Sequence, residues 1–382
     1  MTEKNTARPR ALVIGGSLGG LFAATALQAI GWQVDIFERS AGELDSRGGG
    51  LVLQPDVLAA FRFAGISQPG ALGVASGDRV YLDRQGEVVQ RSFMPQTQTS
   101  WNMLYTTMKR KLRADALHPG EEMLHFEQHG QKVTAHFASG RAETGDLLIG
   151  ADGPRSTVRS RLLPNVLPSY AGYVAWRGLV AEDALAADAA AVLEGSFAFQ
   201  QGDDHQLLEY MVPGKDGSTQ AGRRRWNWVW YRKVAKGIAL QELLTDRRGV
   251  RHAFSMPPGG LQDRYRALLR QDAQMMLAPA FQQLVNATGE PFVQAILDLQ
   301  VSRMVFGRAV LLGDAAFVPR PHTAGSTAKA AANALSLADG LQRTPFDIDV
   351  ALANWQTSQL GDGISMTAWG RDIGNRIMKI SL

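Results

Sequence analysis

Residues 11–40 read ALVIGGSLGGLFAATALQAIGWQVDIFERS, and this stretch decides the fold. The apolar run from Ala11 to Ile14 predicts a buried strand; a glycine-rich turn and a helix with small residues on its packing face follow. A second predicted strand ends in Glu38, 18 residues after Gly20. This order is typical of a dinucleotide-binding βαβ unit, in which a pyrophosphate rests on the helix N-terminus and an acidic side chain holds a ribose hydroxyl.

The glycine-rich turn departs from the usual fingerprint at one position. Gly15 and Gly20 match its first and third glycines, whereas Ser17 replaces the middle one. A serine there narrows the approach of the backbone to the pyrophosphate but adds a hydroxyl that can bond to it. Because Glu38 would repel a 2′-phosphate, we expect FAD or NAD rather than NADP in this site.

Composition limits the class of protein. The chain has 382 residues, 45% hydrophobic and 20% charged, with a net charge of +4, which indicates a globular protein of two domains or of one domain with a large insertion. The small charge does not indicate a nucleic-acid partner. With no cysteine there is no disulfide or thiolate metal site, and we expect no metal. Residues 1–10 lack the apolar core of a signal peptide, and no apolar run would span a bilayer, so we predict a cytoplasmic protein without membrane contact.

The pattern along the chain predicts an α/β fold: a Rossmann-like nucleotide-binding domain (1–170 and 300–382), an inserted mixed β-sheet substrate domain (171–299) and C-terminal helices. Residues 123–150 predict a meander leading into a buried strand. In WNWVWYR, Trp226, Trp228 and Trp230 face one side and Asn227, Val229 and Tyr231 the other. The preceding Arg223–Arg225 is either a solvated strand edge or a docking point for a phosphate-bearing cosubstrate.

Two further motifs follow apolar strands. Residues 150–159 read GADGPRSTVR and residues 313–316 read GDAA. Taken alone, each predicts an ordinary strand-to-helix turn, with Asp152 near an N-cap and Pro154 in the first helical turn.

Together, the three motifs in this order and at this spacing resemble the FAD-dependent aromatic hydroxylases of the para-hydroxybenzoate hydroxylase type, over nearly the whole chain. The segments RGGGLVLQP (47–55), YAGYVAWRG (170–178) and GDAAFVPRPHTAGS (313–326) are similar to the 2,6-dihydroxypyridine 3-hydroxylase branch, whose members hydroxylate N-heteroaromatic rings. The resemblance implies tightly bound FAD, NADH or NADPH as cosubstrate, and O₂. It further implies that a flavin C4a-hydroperoxide transfers oxygen to a small hydroxylated aromatic or N-heteroaromatic ring.

The resemblance also implies where FAD binds. The first motif would hold the ADP half, Asp152 would lie near the pyrophosphate, and Asp314 would hold the ribityl chain. The full set of expected cofactor contacts is Gly15, Ser17, Leu18, Gly20, Glu38, Arg39, Gln54, Tyr105, Asp152, Asp314, Pro321, Gly325 and Ser326.

Several positions depart from the family pattern. Tyr105 stands where many members carry a flavin-contacting arginine, and Phe317 replaces a histidine. Ala324-Gly325-Ser326 replaces Gly-Gln-Gly, and Asn333 replaces an aspartate. Val52 occupies the place of a histidine base in some pyridine hydroxylases, so a base must come from elsewhere.

Candidates for that base are Tyr210, His322 and His205. Each has a structural alternative: Tyr210 as a packed sheet aromatic, His322 as a loop cap, His205 as a turn residue. Trp228 and Tyr231 are predicted to line the substrate pocket beside them. A flavin reductase or epoxidase acting on an isoprenoid-like substrate, and a non-catalytic nucleotide-binding sensor, are the alternative functions. We predict a small aromatic substrate, O₂ and NAD(P)H as partners, and a homodimer as the assembly.

Overall fold

The computed structural model describes residues 8–42, 44, 49–67, 70–345 and 347–380. Part of the RGGG segment therefore lies outside the described residues. The strands, in chain order, are β1 (Arg10–Ile14), β2 (Gln33–Glu38), β3 (Gly50–Val52), β4 (Val74–Leu82), β5 (Val88–Ser100), β6 (Leu117–Pro119), β7 (Met123–His129), β8 (Lys132–Phe137), β9 (Ala142–Gly145), β10 (Leu147–Gly150), β11 (Ser169–Ala181), β12 (Ser196–Gln201), β13 (His205–Val212), β14 (Arg225–Lys233), β15 (Ser255–Met256), β16 (Phe292–Gln300), β17 (Val305–Phe306), β18 (Ala309–Leu311) and β19 (Phe317–Val318).

The helices are α1 (Leu18–Ala29), α2 (Pro55–Phe63), α3 (Trp101–Lys111), α4 (Thr157–Leu162), α5 (Ala187–Leu193), α6 (Ile238–Leu243), α7 (Asp263–Met276), α8 (Pro279–Ala287), α9 (Ser326–Arg343) and α10 (Ile348–Met378). Short 3₁₀ turns cover Glu182–Ala184, Gly313–Ala315 and Pro321–Thr323.

The first sheet confirms the βαβ unit. Its order is β17-β18-β10-β1-β2-β6, and β18, β10, β1, β2 and β6 run parallel. The apolar run at 11–14 is buried between β2 and β10, because a parallel strand covered by helices on both faces needs side chains that tolerate complete burial. The β10 and β18 strands carry the second and third motifs at their carboxyl ends, next to the turn after β1. Three loops from distant parts of the chain therefore meet at one edge.

A second, mixed sheet has the order β15-β16-β11-β14-β13-β12-β4-β5-β3. It contains β3, β4 and β5, although residues 50–100 were assigned to the nucleotide-binding domain from sequence. That boundary is corrected because β4 pairs in parallel with β12. Parallel neighbours come from separate parts of the chain, so local patterning does not reveal them.

The two faces of β14 have different surroundings. Trp226, Trp228 and Trp230 are buried in a core shared with α7 and α8, as the alternation predicts. Asn227 and Tyr231 are buried on the opposite face, where Gly50 and Tyr173 lie. One face of the second sheet thus packs against helices, and the other faces the nucleotide-binding domain.

Three of the remaining strands form a third, smaller sheet. The predicted meander forms a separate sheet of order β7-β8-β9.

The basic cluster at Arg223–Arg225 is partly neutralised. Arg223 pairs with Asp216, and Arg224 pairs with Glu182 and Glu194, so these two arginines form local ion pairs. Among the described residues, no helix has the length and apolarity of a membrane span.

Candidate functional site

A cleft of about 560 Å³ opens where the loops of the first sheet face the second sheet. Eight of the residues predicted to contact the cofactor line it: Gly15, Ser17, Leu18, Glu38, Arg39, Asp152, Asp314 and Ser326. They come from four separate stretches of the chain. The cleft continues past Trp101 and Gly50 to Arg177, Ser255 and Gln294 of the second-sheet side. A long, bent ligand can therefore reach from the β1–α1 turn to the wall of the second sheet.

The first motif is shaped for close approach to a ligand. Gly15 has φ +107, and a Cβ on it would lie 2.5 Å from the carbonyl oxygen of Ala151. A Cβ on Gly20 would lie 1.9 Å from the carbonyl oxygen of Gly15, so Gly20 packs under the turn. Ser17 has φ −83, which any residue adopts, and its side chain does not cap α1. The middle position therefore tolerates serine, and its hydroxyl remains available to a phosphate at the helix N-terminus.

Glu38 holds the same turn from the other side. Its carboxylate accepts hydrogen bonds from the backbone N–H of Gly16 (2.8 Å) and of Ser40 (2.9 Å). The side chain lies at the end of β2 and lines the cleft. This position, beside the helix N-terminus, is where a ribose hydroxyl would meet an acceptor.

Asp152 lines the cleft and accepts hydrogen bonds from the first turn of α4, whose N-cap is Ser156. Its Oδ2 accepts from the backbone N–H of Thr157 (2.7 Å) and Val158 (3.2 Å), which confirms the ordinary reading of this motif as a helix start. Its buried Oδ1 has no hydrogen-bond partner among the described residues. Burial raises the pKa of Asp152, and the N–H donors oppose that shift. The orphaned oxygen indicates that a donor from a bound ligand belongs there.

The second and third motifs are tied together by Arg159, whose buried Nη1 donates to the carbonyl oxygen of Ala315 at 2.9 Å. In the third motif, Asp314 Oδ1 accepts from Ser326 Oγ (2.6 Å) and from Lys329 Nζ (2.9 Å). Both donors therefore use the same oxygen, and Asp314 itself lines the cleft. Lys329 is buried, and burial lowers its pKa while Asp314 opposes that shift.

Two departures from the family pattern have structural explanations. Asn333 Oδ1 accepts from the backbone N–H of Gly313 at 3.1 Å, so the substituted amide still supports the third motif. Phe317 is buried against α10, and a Cβ on Gly363 would lie 2.4 Å from its ring. The phenylalanine thus fills a tight contact between the loop after β18 and α10.

The inner end of the cleft is polar and cationic. Asn227 Oδ1 accepts from the backbone N–H of Gly50 at 2.7 Å and so holds β3 against the second sheet. A Cβ on Gly50 would lie 2.5 Å from the Tyr210 ring. The positive charge of Arg177 favours ionisation of both Tyr210 and Tyr231, but burial dominates and raises their pKa values, that of Tyr231 to about 12. Tyr210 and Tyr231 thus lie near Arg177, and of the three it is Arg177 that lines the cleft.

His322 lies in a buried aromatic group beside that region. Its Nε2 is 2.9 Å from the Tyr173 hydroxyl, and its ring centroid is 4.4 Å from that of Tyr231. Arg320 donates to Asp298 through two nitrogens, both at 2.8 Å, and lies over the Tyr173 ring. Burial, assisted by the charge of Arg320, lowers the pKa of His322 to about 3. The imidazole is therefore neutral near pH 7.

Three expectations are corrected by the structure. Trp228 is buried on the helix side and donates to Thr288 Oγ1 at 2.8 Å, so it does not line the cleft. His205 begins β13 on that same face, where its Nδ1 accepts from Trp230 Nε1 at 3.1 Å. Tyr105 is buried in the nucleotide-domain core, and Trp101, stacked on it at 4.7 Å, reaches the cleft instead. Trp101 and Tyr105 lie one turn apart and so share a face of α3, which explains why Trp101 lines the cleft in place of the predicted Tyr105.

Gln54, Pro321 and Gly325 do not line the cleft either: Gln54 precedes α2, Pro321 opens a 3₁₀ turn and Gly325 precedes α9. Four residues were not predicted as site residues: Trp101, Arg177, Asn227 and Lys329. The motif AWRG contained Arg177, but a lone arginine on a strand does not reveal which face it occupies.

The chain is similar to known proteins along most of its length. A family model described as FAD binding domain-like matches residues 170–298. The 2,6-dihydroxypyridine 3-monooxygenase of Paenarthrobacter nicotinovorans is 34% identical over 93% of this chain and 88% of its own length. The chain belongs to the FAD-dependent aromatic hydroxylases. The 6-hydroxynicotinate 3-monooxygenase of Pseudomonas fluorescens is 27% identical to this hydroxylase, over 86% of this chain and 82% of its own length. The solved 2,6-dihydroxypyridine-3-hydroxylase of Arthrobacter nicotinovorans superposes with a TM-score of 0.91 at 32% identity, covering 97% of this chain and 93% of that one.

The residues of this hydroxylase fit FAD. Gly15 forms a turn that a ligand can approach closely, Asp152 Oδ1 has no partner among the described residues, and Asp314 lines the same cleft. FAD supplies the redox and oxygen chemistry when bound, whereas the protein supplies position, charge and shelter from water. Membership of the family confirms the predicted fold class, the FAD cofactor and the monooxygenase activity.

Proposed function

We propose that this hydroxylase uses NAD(P)H and O₂ to hydroxylate a small N-heteroaromatic ring that carries a hydroxyl group and is bound as its anion. Two relatives are named for such rings, 2,6-dihydroxypyridine and 6-hydroxynicotinate. The cleft wall offers polar side chains and aromatic rings rather than a long apolar channel, which favours a flat polar ring over an isoprenoid. A homodimer and a cytoplasmic location remain predictions from sequence.

The observation that carries this proposal is the guanidinium of Arg177. It lines the cleft, and its buried Nε has no hydrogen-bond partner in the described part of the chain. No carboxylate of the described residues forms an ion pair with it, in contrast to Arg320, which Asp298 neutralises. An uncompensated, partly buried cation is costly, and an anionic ligand relieves that cost. An ionised ring hydroxyl is such a ligand.

The neighbouring groups support an anion rather than a strong base. A general base works best with a pKa near the working pH, whereas His322 lies far below it and Tyr210 is raised above its ordinary value by burial. Both are neutral near pH 7, so they suit hydrogen bonding to the substrate. We propose that Arg177 favours the ionised hydroxyl and that Tyr210 and His322 orient the ring. An electron-rich anion is the better nucleophile toward the oxygen donor.

A substrate screen tests the proposal. Purified enzyme with bound FAD is assayed for NADH and NADPH oxidation with hydroxypyridines, hydroxybenzoates and their O-methyl ethers. We expect hydroxypyridines to stimulate oxidation and to yield products heavier by one oxygen, and O-methyl ethers, which cannot ionise, to remain inactive. Equal turnover of the ethers would contradict anion binding. A protein that retains FAD but shows no substrate-stimulated oxidation with any ring would contradict the proposed substrate class.

Arg177→Met and Arg177→Lys give the matched comparison. Loss of the cation should raise KM for ionisable rings by roughly 10- to 100-fold, the loss expected for a hydrogen bond to a charged group. The lysine variant keeps the charge and should recover part of the affinity. An unchanged KM in the methionine variant would remove Arg177 from substrate binding.

A further inference from the structure

We propose that His125, Glu127 and His136 form a binding site for one divalent transition-metal ion of the Zn²⁺ type, separate from the cleft. The three residues lie on β7 and β8 of the three-stranded sheet. One ligand atom from each lies within 4.8 Å of the other two. The lack of cysteine predicts no metal site, but imidazole and carboxylate ligands need no cysteine.

The strand register places the three side chains on one face. His125 pairs directly with His136 across the antiparallel ladder, and their rings stack with centroids 4.5 Å apart and planes 9° apart. Glu127 pairs with Thr134 and lies two residues from His125, so it projects from the same face. The register of β7 against β8 shifts between Met123 and His125. The pairing of Met123 therefore does not determine which face of the sheet carries His125.

Within the described residues, one ligand atom of the group is without a partner, and a second has one exposed partner. His136 Nε2 is buried and has no hydrogen-bond partner in the described ranges. Glu127 accepts from one neighbour, His129, whose Nε2 is 3.2 Å from Oε2. An imidazole nitrogen without a partner, next to a carboxylate, is an arrangement that binding of a cation would satisfy.

The ligand chemistry identifies the class of ion. Two imidazoles and one carboxylate suit Zn²⁺ and its neighbours in the first transition series, whereas Ca²⁺ and Mg²⁺ prefer all-oxygen sites. Ligand bonds of about 2.0–2.2 Å require the donors to close from their present spacing, and the side chain of Glu127, 54% exposed, is free to move. His129 or water would complete a four-coordinate site.

The position of the site indicates a structural role. Met123, at the start of β7, lines the cleft, and the ion would join β7 to β8 only a few residues away. A metal bridge across the ladder would hold the hairpin that supports this wall of the cleft.

Calorimetric titration tests the site. Enzyme with bound FAD is stripped of metal with EDTA, dialysed and titrated with zinc chloride. We expect one saturable site with micromolar or tighter affinity, weakened about ten-fold or more in H125Q and H136Q. H252Q is the matched control, because His252 pairs with Asp246 in a different loop, and its affinity should be unchanged. No saturable binding, or equal affinity in all variants, would overturn the proposal.

A second variant protects the test against misfolding. The side chain of Glu127 is 54% exposed, and glutamine has nearly the same shape, so Glu127→Gln should fold and still bind Zn²⁺ more weakly. Substitution by Co²⁺ gives an independent readout, since four-coordinate Co²⁺ absorbs strongly at wavelengths beyond the flavin bands. We expect that absorption in the native enzyme and its loss in H136Q. The weak spectrum of hydrated Co²⁺ in the native enzyme would contradict a built site.

Discussion

Lys329 Nζ lies 2.9 Å from Asp314 Oδ1, and the lysine is 4% exposed. A buried ammonium is stable only when a partner neutralises it, so this contact fixes the carboxylate that we predict to hold the ribityl chain. The same nitrogen also donates to the carbonyl oxygen of Phe317. The lysine thus couples the third motif to α9 and holds one oxygen of Asp314 in place.

We predict that Lys329→Met weakens FAD binding and destabilises the fold. Removing the lysine leaves Asp314, whose side chain is 37% exposed, without its cation, and the freed carboxylate can turn away from the cleft. Asp314→Ala should also weaken FAD retention. The dissociation constant is measured by fluorescence on adding FAD to apoprotein. Lys379→Met, which removes an exposed pair with Asp203, is the control and should bind FAD normally. Native FAD affinity in both Lys329→Met and Asp314→Ala would disprove this coupling.

Two neighbouring glycines provide a test of the first motif. Gly15→Ala should abolish FAD binding, because the new Cβ would lie 2.5 Å from the Ala151 carbonyl at a φ of +107. Gly19→Ala should be tolerated, since its Cβ would meet its nearest neighbour, Leu312, at 3.7 Å. The flavin-to-protein absorbance ratio after purification distinguishes the two. Full flavin content in Gly15→Ala would show that this turn does not need to approach the pyrophosphate.

The two faces of β14 predict opposite phenotypes. Trp228→Phe removes the hydrogen bond to Thr288 and leaves a cavity on the helix side, so we expect a loss of about 1–3 kcal/mol in stability with KM unchanged. Tyr231→Phe keeps the packing on the other face, so we expect a change in KM with little loss of stability. Thermal unfolding and steady-state kinetics measure both. A KM change in Trp228→Phe with native stability would place that tryptophan in the pocket after all.

Glu209 makes stability depend on pH. Its fully buried carboxyl group has no partner on either oxygen in the described structure, and burial raises its pKa well above the ordinary value. The folded state therefore holds the proton more tightly than the unfolded state. This stabilisation is complete below the unfolded pKa and is lost as the pH rises through the folded pKa. The free energy of unfolding is therefore lower at alkaline pH.

Glu209→Gln should flatten that dependence. We expect its unfolding midpoint to vary less between about pH 5 and pH 8 than that of the native enzyme, because the amide does not ionise. Glu87→Gln alters an exposed carboxyl and serves as the control. The midpoints are measured by circular dichroism. Parallel curves for native enzyme and Glu209→Gln would show that this carboxyl does not control the pH dependence.

The sequence by itself determined the parts of this protein that depend on neighbours along the chain. The βαβ unit followed from an apolar run, a glycine turn and Glu38, because strand burial and turn sterics act over a few residues. The alternation in WNWVWYR likewise predicted two faces for β14. Family membership followed from three motifs together, although the second and third alone each predict no more than a helix start.

Only the tertiary structure decided which side of each element meets the ligand. Trp101 rather than Tyr105 reaches the cleft, and Tyr231 rather than Trp228 faces the nucleotide domain. The pairing of Lys329 with Asp314 and the unpaired state of Arg177 also required the folded chain. Burial and ion pairing arise between distant segments, and the free energy of a charge depends on those surroundings rather than on its sequence position.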